Sequence, residues 1–208
     1  MRDDPGRSEP VRLTSRFNRV VAVLAWAAAT AFALGIAATG RWGDYVNLAP
    51  LLVYAAAASY YLLWRPSLTV SDDGVDVVNV VSSVHVPWEA LVDVDTKYAL
   101  ALRVPGRSVS VWCAPAPGAV GMVRASRAER SQAHAATRET VVRPGDLPAT
   151  ESGRAAAVVR ERWFARRAAG LIAPGVADET PVHIARDAVA LAVLVGGAVV
   201  ALVCLAVL

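Results

Sequence analysis

The hydrophobic and polar positions of this chain follow two different patterns. Three stretches, residues 20–38, 45–64 and 188–208, are free of charged residues and largely apolar. At about 1.5 Å per residue, a helix of this length crosses the roughly 30 Å hydrocarbon core of a bilayer. After the second stretch, apolar and polar residues alternate with period two, as in strands that bury one face. The pattern therefore predicts three transmembrane helices and a β-rich segment between the second and the third.

The first two apolar stretches lie close together in the sequence. Six residues, TGRWGD, separate them, so they are predicted to form a helical hairpin over residues 20–64, after a tail of residues 1–19. A cleaved signal peptide is the alternative for the first stretch, but its apolar run is too long and the tail before it contains three acidic residues. Pro50 predicts a kink in the second helix, and Trp64 at its end is typical of an aromatic belt at the lipid headgroups.

The arginines near the predicted spans indicate how the chain is oriented. Three of them precede the first span and one follows the second, whereas the loop of the hairpin has one arginine and one aspartate. Positive residues close to spans mark the cytoplasmic side. The tail and residues 65–187 are therefore predicted to be cytoplasmic, in a multi-pass protein of the plasma membrane. The four arginines are Arg12, Arg16, Arg19 and Arg65.

Residues 65–116 are predicted to form about six short antiparallel strands. Apolar residues alternate with polar ones, and Asp-Gly and Pro-Gly dipeptides supply tight turns. One face of such a sheet is apolar and needs a cover. The residues expected to have structural roles are Asp73 and Gly74 in the first turn, Trp88 in a short turn after the third strand, Trp112 in the last strand and Trp163 in the covering element.

The cover is predicted to be an amphipathic helix over residues 151–170. Ala156, Val159 and Trp163 recur there at helical spacing. The alternative is a helix at the membrane surface, with its aromatic residues in the lipid and its arginines at anionic headgroups. Residues 117–150 are rich in small and polar residues without a sustained period, and they are predicted to be a flexible loop.

Composition and motif content narrow the function classes. A hydrophobic fraction of 55% and a mean hydropathy of +0.42 favour a membrane protein. The three histidines are far apart and not at zinc-binding spacing, and no catalytic serine, Walker or dinucleotide-binding motif occurs. The sequence therefore predicts no enzyme activity, no metal and no cofactor. Nucleic acid is not an expected partner either, because the basic residues lack interleaved aromatic residues for stacking.

Charge is unevenly divided within the cytoplasmic segment. Residues 65–116 carry four basic and six acidic side chains, whereas residues 117–170 carry ten and five. Two of the acids, Asp72 and Asp73, lie in the first turn, where they would repel an inositol phosphate. The sequence therefore predicts weak, salt-sensitive contact with anionic lipids, without preference for inositol phosphates. The expected contact residues are Arg124, Arg127, Arg154, Arg160, Arg166 and Arg167.

Small residues in the third apolar stretch predict a second kind of contact. They recur four residues apart, which lets another helix approach closely. The expected neighbour is a membrane protein partner or a second copy of this chain, and the alternatives are lipid or the chain's own hairpin. The residues are Ala192, Gly196, Gly197 and Ala201.

The order of several short motifs resembles a known family. An Arg-Pro dipeptide at residues 65–66 follows the second span, a DDG turn comes next, VPWEAL follows the third strand, and the last strand ends in Val-Trp. In this order they resemble the pleckstrin-homology (PH)-like domain of small actinobacterial membrane proteins, in the family named after a low-molecular-weight protein antigen. The resemblance implies an α+β fold, with a bent antiparallel sheet capped by a C-terminal helix, and no known catalysis.

Two functions agree with these observations. The first is a non-enzymatic, membrane-anchored interaction or scaffold module that binds membrane lipids or a membrane or cytoplasmic protein. The second is an accessory subunit of a transporter or of a cell-envelope enzyme complex, which acts through its transmembrane helices.

Overall fold

Strands and helices follow one another in the order that the patterns predict, with two additional strands. The structure is a computed structural model that describes residues 9–40, 42–97, 99–115 and 150–207. In chain order the elements are β1 (Val11–Leu13), α1 (Arg16–Ala38), α2 (Trp42–Ser59), a π-helical turn (Tyr60–Trp64), β2 (Ser67–Val70), β3 (Gly74–Val78), β4 (Ser82–Pro87), a 3-10 turn (Trp88–Ala90), β5 (Asp93–Asp95), β6 (Ala99–Val104), β7 (Arg107–Pro115), α3 (Glu151–Ala168), a 3-10 turn (Ala177–Glu179), β8 (His183–Arg186) and α4 (Ala188–Val207).

The chain divides into two units. The β domain contains the N-terminal strand, most of the other strands and α3, and the helical unit contains α1, α2 and α4. Residues 79–82, which are the turn after β3 and the first residue of β4, group with the helical unit. The predicted flexible loop of residues 117–150 lies outside the described residues except for Thr150.

The three predicted spans are helices in the structure. α1, α2 with its π-helical turn, and α4 are each long and apolar enough to cross a membrane. α1 begins earlier than the predicted span, at Arg16, because the Ser15 hydroxyl accepts a hydrogen bond from the backbone N–H of Asn18 at 3.1 Å and caps the helix. Pro50 lies inside α2, and the kink that it predicts stays a prediction.

The alternation in the sequence produces the core of the β domain. The strands form two antiparallel sheets, one in the order β1-β2-β3-β4-β8 and the other in the order β5-β6-β7. Cross-strand register places apolar residues of neighbouring strands in rows on one face, where they are buried. Two such rows are Leu68, Val77 and Val84, and Val70, Val75 and Val86. The predicted α+β class with antiparallel strands is confirmed.

Strands β1 and β8 were not predicted. β1 comes from the N-terminal tail and pairs antiparallel with β2, so that Val11 lies opposite Val70. β8 extends the same sheet beside β4. Their sequences carry little signal, because β1 has three residues in a charged tail and all four residues of β8 are exposed.

α3 covers the core of the β domain. The Thr150 hydroxyl caps its first turn by accepting from the backbone N–H of Gly153 at 2.9 Å. Its last turn closes on Gly170, whose φ of 70° lets the backbone N–H of Leu171 reach the carbonyl oxygen of Arg166. The residues of α3 that join the core are Ala155, Ala156, Val159 and Trp163.

The predicted structural role of Trp112 needs correction. Trp112 is 56% exposed and lies on the outer face of β7, whereas Val111 and Cys113 on either side of it are buried. Successive side chains of a strand point to opposite faces, so the alternation that buries its neighbours turns Trp112 outward. It therefore does not pack in the core.

Candidate functional site

The turn between β2 and β3 is closed by its own hydrogen bonds. The backbone N–H of Ser71 donates to the carbonyl oxygen of Gly74 at 2.9 Å, and the Ser71 hydroxyl donates to the same oxygen at 3.1 Å. Gly74 lies opposite Pro87 in β4, and a Cβ atom on Gly74 would overlap the carbonyl oxygen of Val86. Glycine therefore fits this position where a larger residue would force the backbone to shift.

Trp88 supports this turn from the interior of the domain. Its side chain is 2% exposed, and its indole N–H donates to the carbonyl oxygen of Ser71 at 3.1 Å. A buried tryptophan usually needs such a partner for its N–H group. The residues Ser71–Gly74 together with Trp88 are here called the turn site.

One arginine of α3 binds the turn site, and a second binds the strand end beside it. Arg166 forms a 3.0 Å ion pair with Asp72, and both side chains are largely buried. Arg162 donates to the carbonyl oxygen of Val70 at 2.9 Å and to that of Glu9 at 2.6 Å. The ion pair offsets one of the two charges on which the predicted repulsion of inositol phosphates rested.

Two of the arginines predicted to contact lipid are bonded within the domain instead. Arg160 donates to the carbonyl oxygen of Val94 at 2.7 Å, and Arg166 is held by Asp72. Charge-assisted hydrogen bonds of this kind attach α3 to the strands. We therefore no longer expect Arg160 and Arg166 at a lipid surface.

The other predicted lipid contacts are exposed or lie outside the described residues. Arg154 is exposed, and so is Arg167, whose guanidinium carbon lies 5.2 Å from the centre of the Trp163 ring. Arg124 and Arg127 belong to the part of the chain that is not described.

The two aromatic residues of α3 face in different directions. Trp163 is 8% exposed and packs in the core, whereas Phe164 beside it is 56% exposed. Trp163 thus covers the sheets, as the predicted capping helix requires, and does not lie at a lipid surface. Its buried indole N–H has no hydrogen-bond partner among the described residues.

Two side-chain arrangements in the β domain bear on catalysis. Burial raises the pKa of the Cys113 thiol to about 12, so this thiol is neutral at physiological pH and a poor nucleophile. His85 Nδ1 lies 2.6 Å from an oxygen of Asp76 on the neighbouring strand. Within the described ranges no three His, Cys, Asp or Glu side chains are grouped as a metal site would require.

The four small residues of α4 divide between two faces. A Cβ atom on Gly197 would come within 2.5 Å of the Tyr54 ring in α2, and the Tyr54 hydroxyl donates to the carbonyl oxygen of Leu194 at 3.2 Å. Ala201 is buried, whereas Ala192 and Gly196 are exposed. The predicted contact face therefore splits into one part that packs against the chain's own hairpin and another that is open.

Aromatic contacts in the helical unit were not predicted from the sequence. The indole N–H of Trp26 donates to the Ser59 hydroxyl at 2.7 Å and to the carbonyl oxygen of Ala56 at 3.2 Å. Its ring centre lies 5.2 Å from that of Trp64, and the guanidinium carbon of Arg19 lies 4.9 Å from the Trp64 ring centre. An aromatic belt was visible in the sequence, but the pairs depend on how the helices are rotated.

Arg65 joins the end of α2 to the start of α4. Its guanidinium donates to the carbonyl oxygens of Asn79 and Val80, and it lies 2.7 Å from an oxygen of Asp187. The other oxygen of Asp187 accepts from the backbone N–H of Ala190 at 2.9 Å, which caps α4. In the sequence, Arg65 and Asp187 both lie beside predicted spans, but no pattern indicated that they form an ion pair.

Comparison with known proteins identifies the middle of the chain. Residues 65–163 match the family model of the bacterial PH domain, a range that runs from Arg65 through β2–β7 to Trp163 in α3. No curated protein and no solved structure matches the chain. The matched range contains the turn site and Arg162, ends before Arg166, and leaves out β1 and β8.

Proposed function

We propose that this chain is a multi-pass protein of the bacterial plasma membrane, whose PH-like domain is a non-enzymatic interaction or scaffold module at the inner face. The observation that carries the proposal is the match of residues 65–163 to the bacterial PH domain, between helices that are long and apolar enough to span a bilayer. PH domains are typically non-catalytic modules that bind lipids or proteins.

Short connections tether the domain to the helices. Two residues separate β1 from α1, two separate the π-helical turn from β2, and one separates β8 from α4. A module tethered in this way meets lipids and membrane proteins at a high effective concentration. A modest intrinsic affinity for a partner in the same membrane therefore suffices.

The proposed orientation rests on the arginine bias around the spans. Single cysteines at positions 7 and 143, in a chain without its native cysteines, should be labelled from the cytoplasmic side. Cysteines at positions 42 and 208 should be labelled from the outer side. Cytoplasmic labelling at position 42 contradicts this topology.

Anionic lipids are one class of partner for the module. The residues proposed to contact anionic lipids are Arg154 and Arg167, together with Arg124 and Arg127 outside the described residues. Near a membrane surface each adds up to about 1 kcal/mol, screened beyond a Debye length of roughly 8 Å. We expect weak, salt-sensitive binding of residues 65–187 to anionic liposomes, and saturable, salt-resistant binding to one phosphoinositide contradicts this expectation.

The scaffold role is tested by crosslinking the full chain in native membranes and identifying the recovered proteins. A module acting through its domain should recover a partner repeatedly. Trp88→Ala, which removes support from the turn site, should lose that partner. Gly196→Leu, on the open face of α4, should keep it. Repeated recovery of no partner, with no binding of residues 65–187 to liposomes, contradicts the proposal.

An accessory-subunit function is the second candidate. The open face of α4 at Ala192 and Gly196 favours it, because small residues there let a partner helix approach closely. In that case Gly196→Leu should abolish complex assembly while the β domain stays folded. Trp88→Ala should then leave the complex intact.

A further inference from the structure

We propose that the helical unit binds the phosphate of an anionic phospholipid headgroup through Arg19, where α1 begins and α2 ends, with Trp64 as the platform that holds the guanidinium. This inference concerns the membrane helices and does not rest on the function proposed for the PH-like domain.

The platform under Arg19 is fixed by contacts within the hairpin. The guanidinium carbon of Arg19 lies 4.9 Å from the Trp64 ring centre, within the range of a cation–π interaction. Trp64 in turn packs against Trp26, whose indole N–H is held by the Ser59 hydroxyl at 2.7 Å. Arg19 is thus held in a defined position by its aromatic neighbours.

Arg19 has an unused hydrogen-bonding group. Arg19 as a residue is partly exposed, whereas its Nε atom is enclosed and has no hydrogen-bond partner among the described residues. A guanidinium is always charged and carries five donors, so the partly exposed side chain can donate to an anion at the end of the hairpin without using the enclosed Nε atom. Phosphate oxygens are acceptors that match a guanidinium in geometry and charge.

The local charge balance favours an anion at this end of the hairpin. Arg19 and Arg65 lie here, and the Asp187 carboxylate is already engaged by Arg65 and by the first turn of α4. The first turn of α1 contains no acidic residue, and the helix dipole there also favours negative charge. The end of the hairpin therefore complements an anion.

A lipid headgroup is the anion that this position would meet. The site lies at the end of two candidate spans, and Tyr60, Tyr61 and Trp64 form an aromatic belt at the same end. Such belts lie at the level of the headgroups, and basic pockets between transmembrane helices are known to bind anionic lipids. The phosphate of a phospholipid is thus held at this depth by the bilayer itself.

The test measures which lipids stay with the full chain when it is extracted from vesicles of phosphatidylcholine and phosphatidylglycerol. We expect phosphatidylglycerol to be enriched with the wild-type chain. Arg19→Gln should lower that enrichment by about fivefold, as expected for the loss of one basic residue at a membrane surface. Trp64→Leu keeps every charge but removes the platform, and it should lower the enrichment as well. Arg19→Lys should retain part of it.

Arg107→Gln is the matched control, because Arg107 is an exposed arginine of the β domain. It removes the same charge and should leave the enrichment unchanged. The proposal is overturned if Arg19→Gln has no effect, or if Arg107→Gln has the same effect as Arg19→Gln. Displacement of phosphatidylglycerol by inorganic phosphate would overturn the assignment to a lipid. If Arg19→Gln fails to fold, Arg19→Lys and Trp64→Leu decide, since unchanged enrichment in both contradicts the proposal.

Discussion

The β domain and the helical unit bury different kinds of side chain. In the β domain, large side chains such as Trp88, Leu100 and Val159 are fully buried. In the helical unit the buried side chains of the helices are small, and many valines and leucines are more than half exposed. Among the described residues of α1, α2 and α4, the buried ones are Ala22, Ala190 and Ala201.

The difference agrees with the proposal that the helical unit lies in a bilayer and the β domain in water. Water drives apolar side chains of the β domain into one core, at roughly 25 cal/mol for each Å² of apolar surface that is buried. Lipid tails are as apolar as leucine, so in a membrane this driving force between helices is absent and small-residue packing and hydrogen bonds select the contacts. Single substitutions should therefore have larger effects in the β domain than in the helical unit.

The largest effect is expected for Trp163→Ala. This change removes a buried aromatic side chain from between α3 and the sheets, and it should lower the free energy of unfolding of the β domain by about 3 to 5 kcal/mol. The measurement is pulse proteolysis of the full chain in detergent. Phe164→Ala is the control, because the Phe164 ring is exposed and its removal should change the free energy of unfolding little. Unchanged stability of Trp163→Ala with reduced liposome binding would instead favour a helix at the membrane surface.

The second-largest loss of stability is expected for Gly74→Ala. The added methyl group overlaps the carbonyl oxygen of Val86 and forces β3 away from β4. Overpacking of this kind typically costs about 1 to 3 kcal/mol. Gly106→Ala is the comparison, because Gly106 also has a positive φ of 73° but has open space around it, so strain alone should cost about 1 kcal/mol. Equal losses in the two variants would mean that the close approach of the strands is unimportant.

Cys113 should make the stability of the β domain depend on alkaline pH. Its folded pKa of about 12 exceeds the value of about 8.5 expected for an unfolded chain. The contribution of the neutral thiol is therefore fully present below about pH 8.5 and is lost as the pH rises towards 12. At about pH 9.5 the loss should reach roughly 1.4 kcal/mol. The stability difference between the wild-type chain and Cys113→Ala, measured across this range, should narrow accordingly, and a constant difference contradicts the prediction.

The smallest effect is expected for Gly197→Leu in the helical unit. The new side chain collides with Tyr54 and should weaken the contact between α2 and α4, by about 1 kcal/mol. Gly196→Leu is the control for this intramolecular contact, because nothing lies within 4 Å of its position. Disulfide crosslinking between cysteines introduced in α2 and α4 measures the contact. Equal crosslinking in the two variants would argue that α4 does not pack through Gly197.

The periodicity of the sequence was enough to predict the class of each unit. Uncharged runs of about 20 residues predicted the three candidate spans, because length and apolarity alone decide whether a helix can cross a bilayer. Period-two alternation predicted most strands of the β domain, and helical spacing placed Trp163 on the buried face of α3. The resemblance to a PH-like domain agrees with the match of residues 65–163.

The tertiary structure decided how distant parts of the chain meet, because periodicity describes one element at a time. β1 joins β2 across two intervening helices, and neither β1 nor β8 has a pattern of its own. Arg166 and Arg162 resemble surface charges in the sequence, yet Arg166 binds the turn site and Arg162 binds the end of β2. Gly196 and Gly197 are equivalent in composition, but the rotation of α4 turns one to an open face and the other towards Tyr54. These pairings depend on strand register and helix rotation. A single hydrogen bond or steric clash can fix them, whereas sequence periodicity averages over many residues and does not reveal them.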